Sequence, residues 1–369
     1  MSSNHLESAI SPCLRQLRST SVQLPPNHAP PYAAYTSRFP TSTSHVVVTI
    51  LGIQYRPTVS SPSFPTPEYT KIVSFLDKPT NSTPNFWEPS SFTDSRGYYH
   101  ILVIIYWSSI SKFQEWRSAS GFQLWWANLE PSPECGHFLE MFTPTMDRYE
   151  DVTSRMDIQE GGAHMRECMS GPIQEHAYWG SMRDRLPVSQ VDQLHGEKNN
   201  MISINDNTIA KSTEKAETSR GRIKVPSRKN LCVIRSGQDW SSTSPEERAL
   251  YLSTMHPVLI TGMNFLRDEG SEIGCHSCRF ADIIDPMTGK ADKERTFGLA
   301  YFNELASLED WSRKHQTHLN IFGGFLKYAK RLGDDMTLKL WHEVCVLEED
   351  QQEFEYVGCH SQTGMLATL

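Results

Sequence analysis

The sequence predicts an α+β chain of two matched halves, each an antiparallel sheet covered by helices on one face. Two observations carry this. Across 307–347 the spacing of apolar residues changes from steps of three and four to steps of two, as when a helix runs into a strand. In addition, one stretch aligns without gaps on another about 195 positions later: Tyr106-Trp107-Ser108-Ser109-Ile110-Ser111-Lys112-Phe113-Gln114-Glu115-Trp116 on Tyr301-Phe302-Asn303-Glu304-Leu305-Ala306-Ser307-Leu308-Glu309-Asp310-Trp311. Both read as a strand end, a turn and a helix start, which is how a duplicated sheet-and-helix module repeats.

The elements follow in order. Residues 1–44, rich in Ser and Pro, predict mostly irregular chain, and 1–31 stand apart as an N-terminal segment. The apolar run HVVVTILGIQ predicts a strand over 45–54. A Pro/Ser/Thr-rich stretch to Pro67 precedes a short helix near 69–76, and HILVIIYW over 100–107 reads as a buried strand. These belong to a first half, 32–192. The stretch 193–228 is dense in Lys, Glu, Asn, Ser and Thr, with too little apolar surface to pack, and predicts a long polar loop. The second half, 229–369, predicts strands over 231–236, 296–302, 337–347 and 354–359, and helices over 255–268 and 307–332.

Composition excludes several function classes. The chain is 38% hydrophobic and 21% charged, as in a globular protein, with nine tryptophans to fill a core. A formal charge of −8 gives no footprint for a nucleic-acid backbone. The longest apolar run, 101–107, is far short of a membrane span. The first 24 residues lack the apolar core of a signal peptide and carry Glu7 with only two arginines, unlike a transit peptide. A cytoplasmic protein is expected. Eight cysteines at scattered spacings do not form a disulfide framework. The one close pair, Cys275 and Cys278, lacks the second pair of a structural zinc site. Arg279 stands where covalent haem attachment needs a histidine, so both read as reduced thiols.

Two histidines carry the chemistry. On the 307–332 helix, Trp311, His315, His318, Phe322, Phe325 and Ala329 line one face; on the 337–347 strand, Leu338, Leu340, His342, Val344 and Val346 share another. An imidazole in an apolar face must find a partner or lose hydration free energy. A single histidine of this kind is most often a core residue bonded to a carbonyl. The pair, however, can reach one pocket from opposite sides, as axial ligand and acid/base over a flat metal cofactor.

Several segments join aromatics to fixed polar groups: FTPTMDRYE (142–150), EHAYWGSMRDR (175–185), NLCVIRSGQDW (230–240), HQTHLNIF (315–322), LWHEV (340–344) and FEYVGCHSQTGML (354–366). In this order they resemble the aldoxime dehydratase family, phenylacetaldoxime dehydratases included, haem enzymes that convert aldoximes to nitriles. With HVVVTILGIQY and TPTMDRYE the resemblance covers most of 32–366; the departures are 1–31, 193–228 and the turn Gly333-Asp334-Asp335. It implies a dimeric α+β barrel of two ferredoxin-like halves and a haem b cofactor, ferrous in the active form. It makes His318 the proximal iron ligand, His342 the distal histidine and Ser236 the donor to the oxime hydroxyl. An arginine of MRDR is the further partner, Arg185 favoured over Arg183, and Glu150 matches a carboxylate assisting proton movement. Phe322 and Phe325 would wall the haem.

That chemistry needs those residue types. Turning R–CH=N–OH into a nitrile breaks the N–O bond, and hydroxide leaves poorly unless protonated. With the oxime nitrogen on ferrous haem iron, an imidazole at His342 can protonate the oxygen and then take the carbon-bound hydrogen. Ser236 and Arg185 hold the hydroxyl, each such donor contributing roughly 2–4 kcal/mol to the barrier. Glu343 alternates to the other sheet face and reads as structural. His315 competes with His318 for iron, and His176 and His360 read as structural hydrogen-bonding residues. Outside the resemblance, Ser236 before Gly237 would read as a turn residue and the arginines as surface ion pairs. A haem peroxidase-like protein or a haem-binding sensor of the same fold are the alternatives, and two core histidines with no cofactor a third.

Overall fold

The computed structural model describes residues 6–57, 63–78, 82–197 and 221–369. After a short β1 (Ser37–Arg38), the first half runs β2 (Val47–Tyr55), α1 (Pro67–Leu76), β3 (Phe86–Thr93), β4 (Tyr99–Trp107), α2 (Ile110–Ala119), α3 (Phe122–Ala127) and β5 (Cys135–Phe142). A connecting region holds β6 (Tyr149–Thr153), β7 (Cys168–Met169), α4 (Ser181–Arg185) and β8 (Arg222–Val225). The second half runs β9 (Leu231–Asp239), α5 (Pro245–Leu250), α6 (His256–Asp268), β10 (Cys275–Ile283), β11 (Arg295–Phe302), α7 (Leu305–Lys314), α8 (Gln316–Leu332) and β12 (Lys339–Leu347), followed by β13 (Gln352–Val357).

Among the described residues, eleven strands form one antiparallel sheet in the order β6-β12-β9-β11-β10-β3-β4-β2-β5-β13-β8. Within each half the order is the same: fourth, first, third, second. The second strands, β3 and β10, join the halves through Asp282↔Ser91 and Ile283↔Ser90. The strands that follow each half cross over: β6 pairs with β12, and β13 with β5. The sheet curls so that Val48, Ile104 and Phe138 share an interior core with Val233, Phe297 and Trp341. Tyr106 and Tyr301, equivalent in the repeat, both lie in the third strand of their half.

Helices cover the outer face, and the two halves are filled differently. Under α1, α2 and α3 the first half packs Trp107, Phe113, Trp116, Phe122 and Trp126. Under α6, α7 and α8 the second half packs smaller residues such as Cys278, Ala300 and Val344 around Trp311. That leaves room for a cavity under the helices of the second half. No helix among the described residues is long and apolar enough to cross a membrane.

Three sequence expectations need correction. The helix expected over 307–332 is two helices, because His315 takes an extended backbone (φ −83°, ψ 134°) and its ring Nδ1 caps α8 at Thr317. The loop expected over 193–228 ends in β8, which extends the sheet beyond β13 through Phe354↔Val225; its 198–220 portion lies outside the described residues. The strands β3, β5, β6 and β10 were not anticipated. β3 carries Pro89, a residue suited to a strand whose second edge is nearly free, and β3 meets β10 only at Ser90 and Ser91.

Candidate active site

A cavity of about 420 Å³ opens between the sheet of the second half and the helices α6 and α8. Its sheet wall is set by register. His342 pairs with Ser236 on β9 and with Val152 on β6, and Ser236 pairs with Gly298 on β11. Val152, His342, Ser236 and Gly298 thus form one row across four strands, all lining the cavity. Ser236 is mid-strand, not in a turn. Gly237 after it is required by packing, since a Cβ there would enter the Trp341 indole.

Beside this row lies a buried charge cluster. Arg185, on α4, is 3% exposed and Glu150, on β6, is 5% exposed. Arg185 Nε donates to Glu150 Oε2 at 2.8 Å and Nη2 to Oε1 at 3.0 Å, a bidentate pair. Arg185 Nη1 donates to the Glu175 carbonyl at 2.9 Å. Arg185 Nη2 also lies 2.9 Å from His342 Nε2, and Glu150 Oε1 lies 3.1 Å from that same nitrogen. Burial alone would raise the Glu150 carboxyl; the charges of Arg185 and His342 outweigh it and hold the group down at about 2. Arg183 points elsewhere, to Glu309 at 2.7 Å and the Gln193 carbonyl at 2.7 Å. Of the two arginines, Arg185 lines the cavity.

The two contacts to His342 Nε2 require different tautomers. To accept from Arg185, Nε2 must carry a lone pair and Nδ1 the proton; to donate to Glu150, Nε2 must carry the proton. His342 Nε2 thus meets a donor in Arg185 and an acceptor in Glu150.

The opposite wall is helical. His318 lies in the first turn of α8, its ring 4.8 Å from Trp311. Its Nδ1 is buried without a hydrogen-bond partner. Burial pushes the ring down to about 4, only the Ser312 carbonyl opposing, so it is neutral at physiological pH. Phe322 and Phe325 line the cavity beside it. His315 does not: its ring stacks on Phe265 at 3.9 Å and bonds Thr317 Oγ1 at 2.9 Å.

The chain matches the family model described as haem-containing dehydratase over residues 49–365. It is 34% identical to an aliphatic aldoxime dehydratase of Pseudomonas chlororaphis and 33% identical to one of Rhodococcus globerulus, in each case over 98% of both chains. It is 29% identical to a phenylacetaldoxime dehydratase of Bacillus sp. (strain OxB-1) over 93% of both. A crystal structure of an aldoxime dehydratase in complex with butyraldoxime superposes with a TM-score of 0.82 at 31% identity, covering 98% of this chain and 96% of that one. The chain belongs to the haem-containing dehydratase family.

The residues of this haem-containing dehydratase fit its cofactor. An iron ligand needs a neutral imidazole at an apolar cavity, and His318 offers one. The flat ring needs aromatic and aliphatic walls, which Trp179, Ile321, Phe322, Phe325, Met182 and Leu259 supply. Residues beyond the sequence reading also line the cavity: Tyr32 from the irregular start of the first half, and Tyr251 and Met255 from a π-helical turn between α5 and α6. Neither position had a sequence signal, since one lies in irregular chain and the other depends on a local change of helical pitch. His176 lines the cavity, where burial holds it at about 4 against a hydrogen bond with the Tyr32 backbone, and its Nε2 is buried without a partner.

A second histidine cluster lies across the molecule. His100 and His360 direct Nε2 at one oxygen of Asp94, at 2.9 and 2.8 Å. Among the described residues this is the one His/Cys/Asp/Glu group spaced to hold a metal ion. Yet Gln362 N donates to His360 Nδ1 at 3.1 Å, which places the ring proton on Nε2 and aims it at Asp94. The cluster is a hydrogen-bonded clamp holding the C-terminal tail to the β3–β4 turn. The cysteines, Cys275 and Cys278 included, are all unpaired.

Proposed function

We propose that this protein is an aldoxime dehydratase, a lyase that eliminates water from R–CH=N–OH to give a nitrile. The single observation that carries this beyond family membership is the row His342–Ser236 facing His318 across one apolar cavity. His318 would hold the haem and Phe322 and Phe325 would wall it, and the haem would supply a Lewis-acidic iron for the oxime. His342 gives a proton to the departing oxygen, and then takes the proton from the oxime carbon. The C–H and N–O bonds break, the third C–N bond forms, and water leaves with no net proton change. Ser236, whose hydroxyl has no hydrogen-bond partner among the described residues, donates to the oxime oxygen. Arg185 has one N–H left after Glu150, Glu175 and His342 are served, enough for one further bond to that oxygen. Glu150 keeps Arg185 in place and offers His342 its alternative proton partner.

The apolar walls suit alkyl or arylalkyl aldoximes. Named relatives act at both ends of that range, as aliphatic aldoxime and phenylacetaldoxime dehydratases. We read each half as ferredoxin-like, supported by the shared strand order and the repeated tyrosine strand. The boundaries 32–192 and 229–369 follow from that reading, with β6 and β13 exchanged between halves. A cytoplasmic setting is supported by the unpaired cysteines, which suit a reducing compartment. A homodimer is expected at twice the 42.0 kDa of one chain, read by light scattering.

The test is anaerobic: dithionite-reduced, haem-loaded protein is mixed with phenylacetaldoxime and with butyraldoxime, following the Soret band and assaying nitrile. A shifted band with nitrile is expected. Stoichiometric haem with no nitrile from either oxime would overturn the reading.

A further inference from the structure

Each of the three side chains assigned to the sheet wall and its carboxylate has a strand neighbour on the opposite face. Tyr149 precedes Glu150, Arg235 precedes Ser236 and Glu343 follows His342, and pleating sends these neighbours into the barrel interior. There they meet. Glu343 accepts from Tyr149 Oη at 2.7 Å, from Gly162 N at 3.1 Å and from Tyr106 Oη. Arg235 donates Nη1 to Tyr106 Oη at 3.1 Å and Nη2 to Glu88. Its guanidinium lies between the Phe297 and Trp341 rings, at 4.4 and 4.7 Å. Glu343 and Arg235 are paired across β12 and β9, one step from the pair His342 and Ser236.

Tyr106 comes from β4, in the other half. Its repeat counterpart makes the reciprocal contact: Tyr301 donates to Glu140 on β5 at 2.5 Å, and Glu140 also accepts from Tyr356 at 2.6 Å and from Arg279. The outer face of β5 carries Leu139, packed in the aromatic layer. The duplicated module thus contains two like clusters, one behind the row of His342 and Ser236 and the other behind that aromatic layer.

We propose that the Tyr106–Glu343–Arg235 network is the positioning device of the active site, fixing β12 against β9 and so the spacing of His342 from Ser236 on the far face. A one-residue slip of β12 would exchange its two faces, sending Glu343 into the apolar cavity and His342 inward, and the network resists any smaller shear through the three hydrogen bonds that Glu343 accepts. Tyr106, on β4, makes the spacing depend on the first half, so the halves act as one unit although His342 and Ser236 both lie in the second. This rests on the dehydratase reading above.

The matched pair Tyr106→Phe and Tyr301→Phe tests it, each removing one buried hydroxyl from a like cluster. In the haem-loaded enzyme Tyr106→Phe is expected to lower kcat about tenfold with KM within about twofold, while Tyr301→Phe stays within about twofold in both. Melting temperatures should fall alike. Hydrogen exchange, followed by mass spectrometry on peptides spanning 231–239 and 339–347, should accelerate in Tyr106→Phe and not in Tyr301→Phe. Equal losses of kcat that track melting temperature, or equal exchange in those peptides, would overturn the proposal. If wild-type enzyme makes no nitrile, the dehydratase reading fails, and the exchange comparison by itself decides whether the network holds the two strands.

Discussion

Arg185 Nη2 lies 2.9 Å from His342 Nε2, joining the arginine that lines the cavity to the histidine of the sheet row. The contact exists because α4 delivers Arg185 onto β6, where Glu150 grips it at two points. A fork-shaped cation can hold a carboxylate at two points and still reach an imidazole and a carbonyl; a lysine ammonium is a point charge without that fork.

Arg185→Lys is therefore expected to lower kcat at least a hundredfold and to destabilise the fold, since the bidentate grip on Glu150 and the bond to the Glu175 carbonyl are both disturbed. Arg183→Lys, which loses only contacts to Glu309 and Gln193, should stay within a few-fold of wild type. Steady-state kinetics of the two variants read the difference.

Glu150 gives a pH prediction. Its carboxyl is held at about 2, below the ordinary carboxylate value. The stability it contributes is thus fully present above that ordinary value and is lost as pH falls towards 2. The melting-temperature gap between wild type and Glu150→Gln should be constant from pH 6 to 8 and close below about pH 4. A gap that widens on acidification would contradict the assignment.

His318, pushed to about 4 by burial, presents a neutral ring at pH 7 and need shed no proton to bind iron. Haem uptake should show no histidine-linked limb between pH 6 and 8. His318→Ala should lose stoichiometric haem, measured by its Soret band, and added imidazole should restore part of it. His176→Ala, the other cavity histidine with an unpartnered nitrogen, should keep its haem.

Gly298 sets the reach of the cavity at the end of the row. An added Cβ would lie 2.6 Å from Met263 Sδ, the movable part of a flexible side chain. Gly298→Ala should fold nearly as stably as wild type and raise KM more for phenylacetaldoxime than for butyraldoxime. Equal changes for both oximes would show that the row does not bound the substrate.

Much of this site was legible in the sequence because β12 alternates strictly, so His342 and Glu343 could be assigned to opposite faces from period alone. Ser236 was harder: a Ser-Gly pair signals a turn, whereas here Gly237 is required by Trp341 crossing from β12, a contact no local pattern reveals. The break at His315 was hidden because the residues on both sides favour helix and the capping is done by an imidazole. Arg183 and Arg185 became distinguishable only when α4 was placed against β6 and α7. Tyr32 and His176 come from irregular segments, where burial follows from tertiary docking.

The most direct test of the central claim is turnover by His342→Ala in its haem-loaded form. The account predicts an unchanged haem content and a nitrile-forming rate reduced by about two to three orders of magnitude or more. Full activity in a variant that keeps its haem would contradict it.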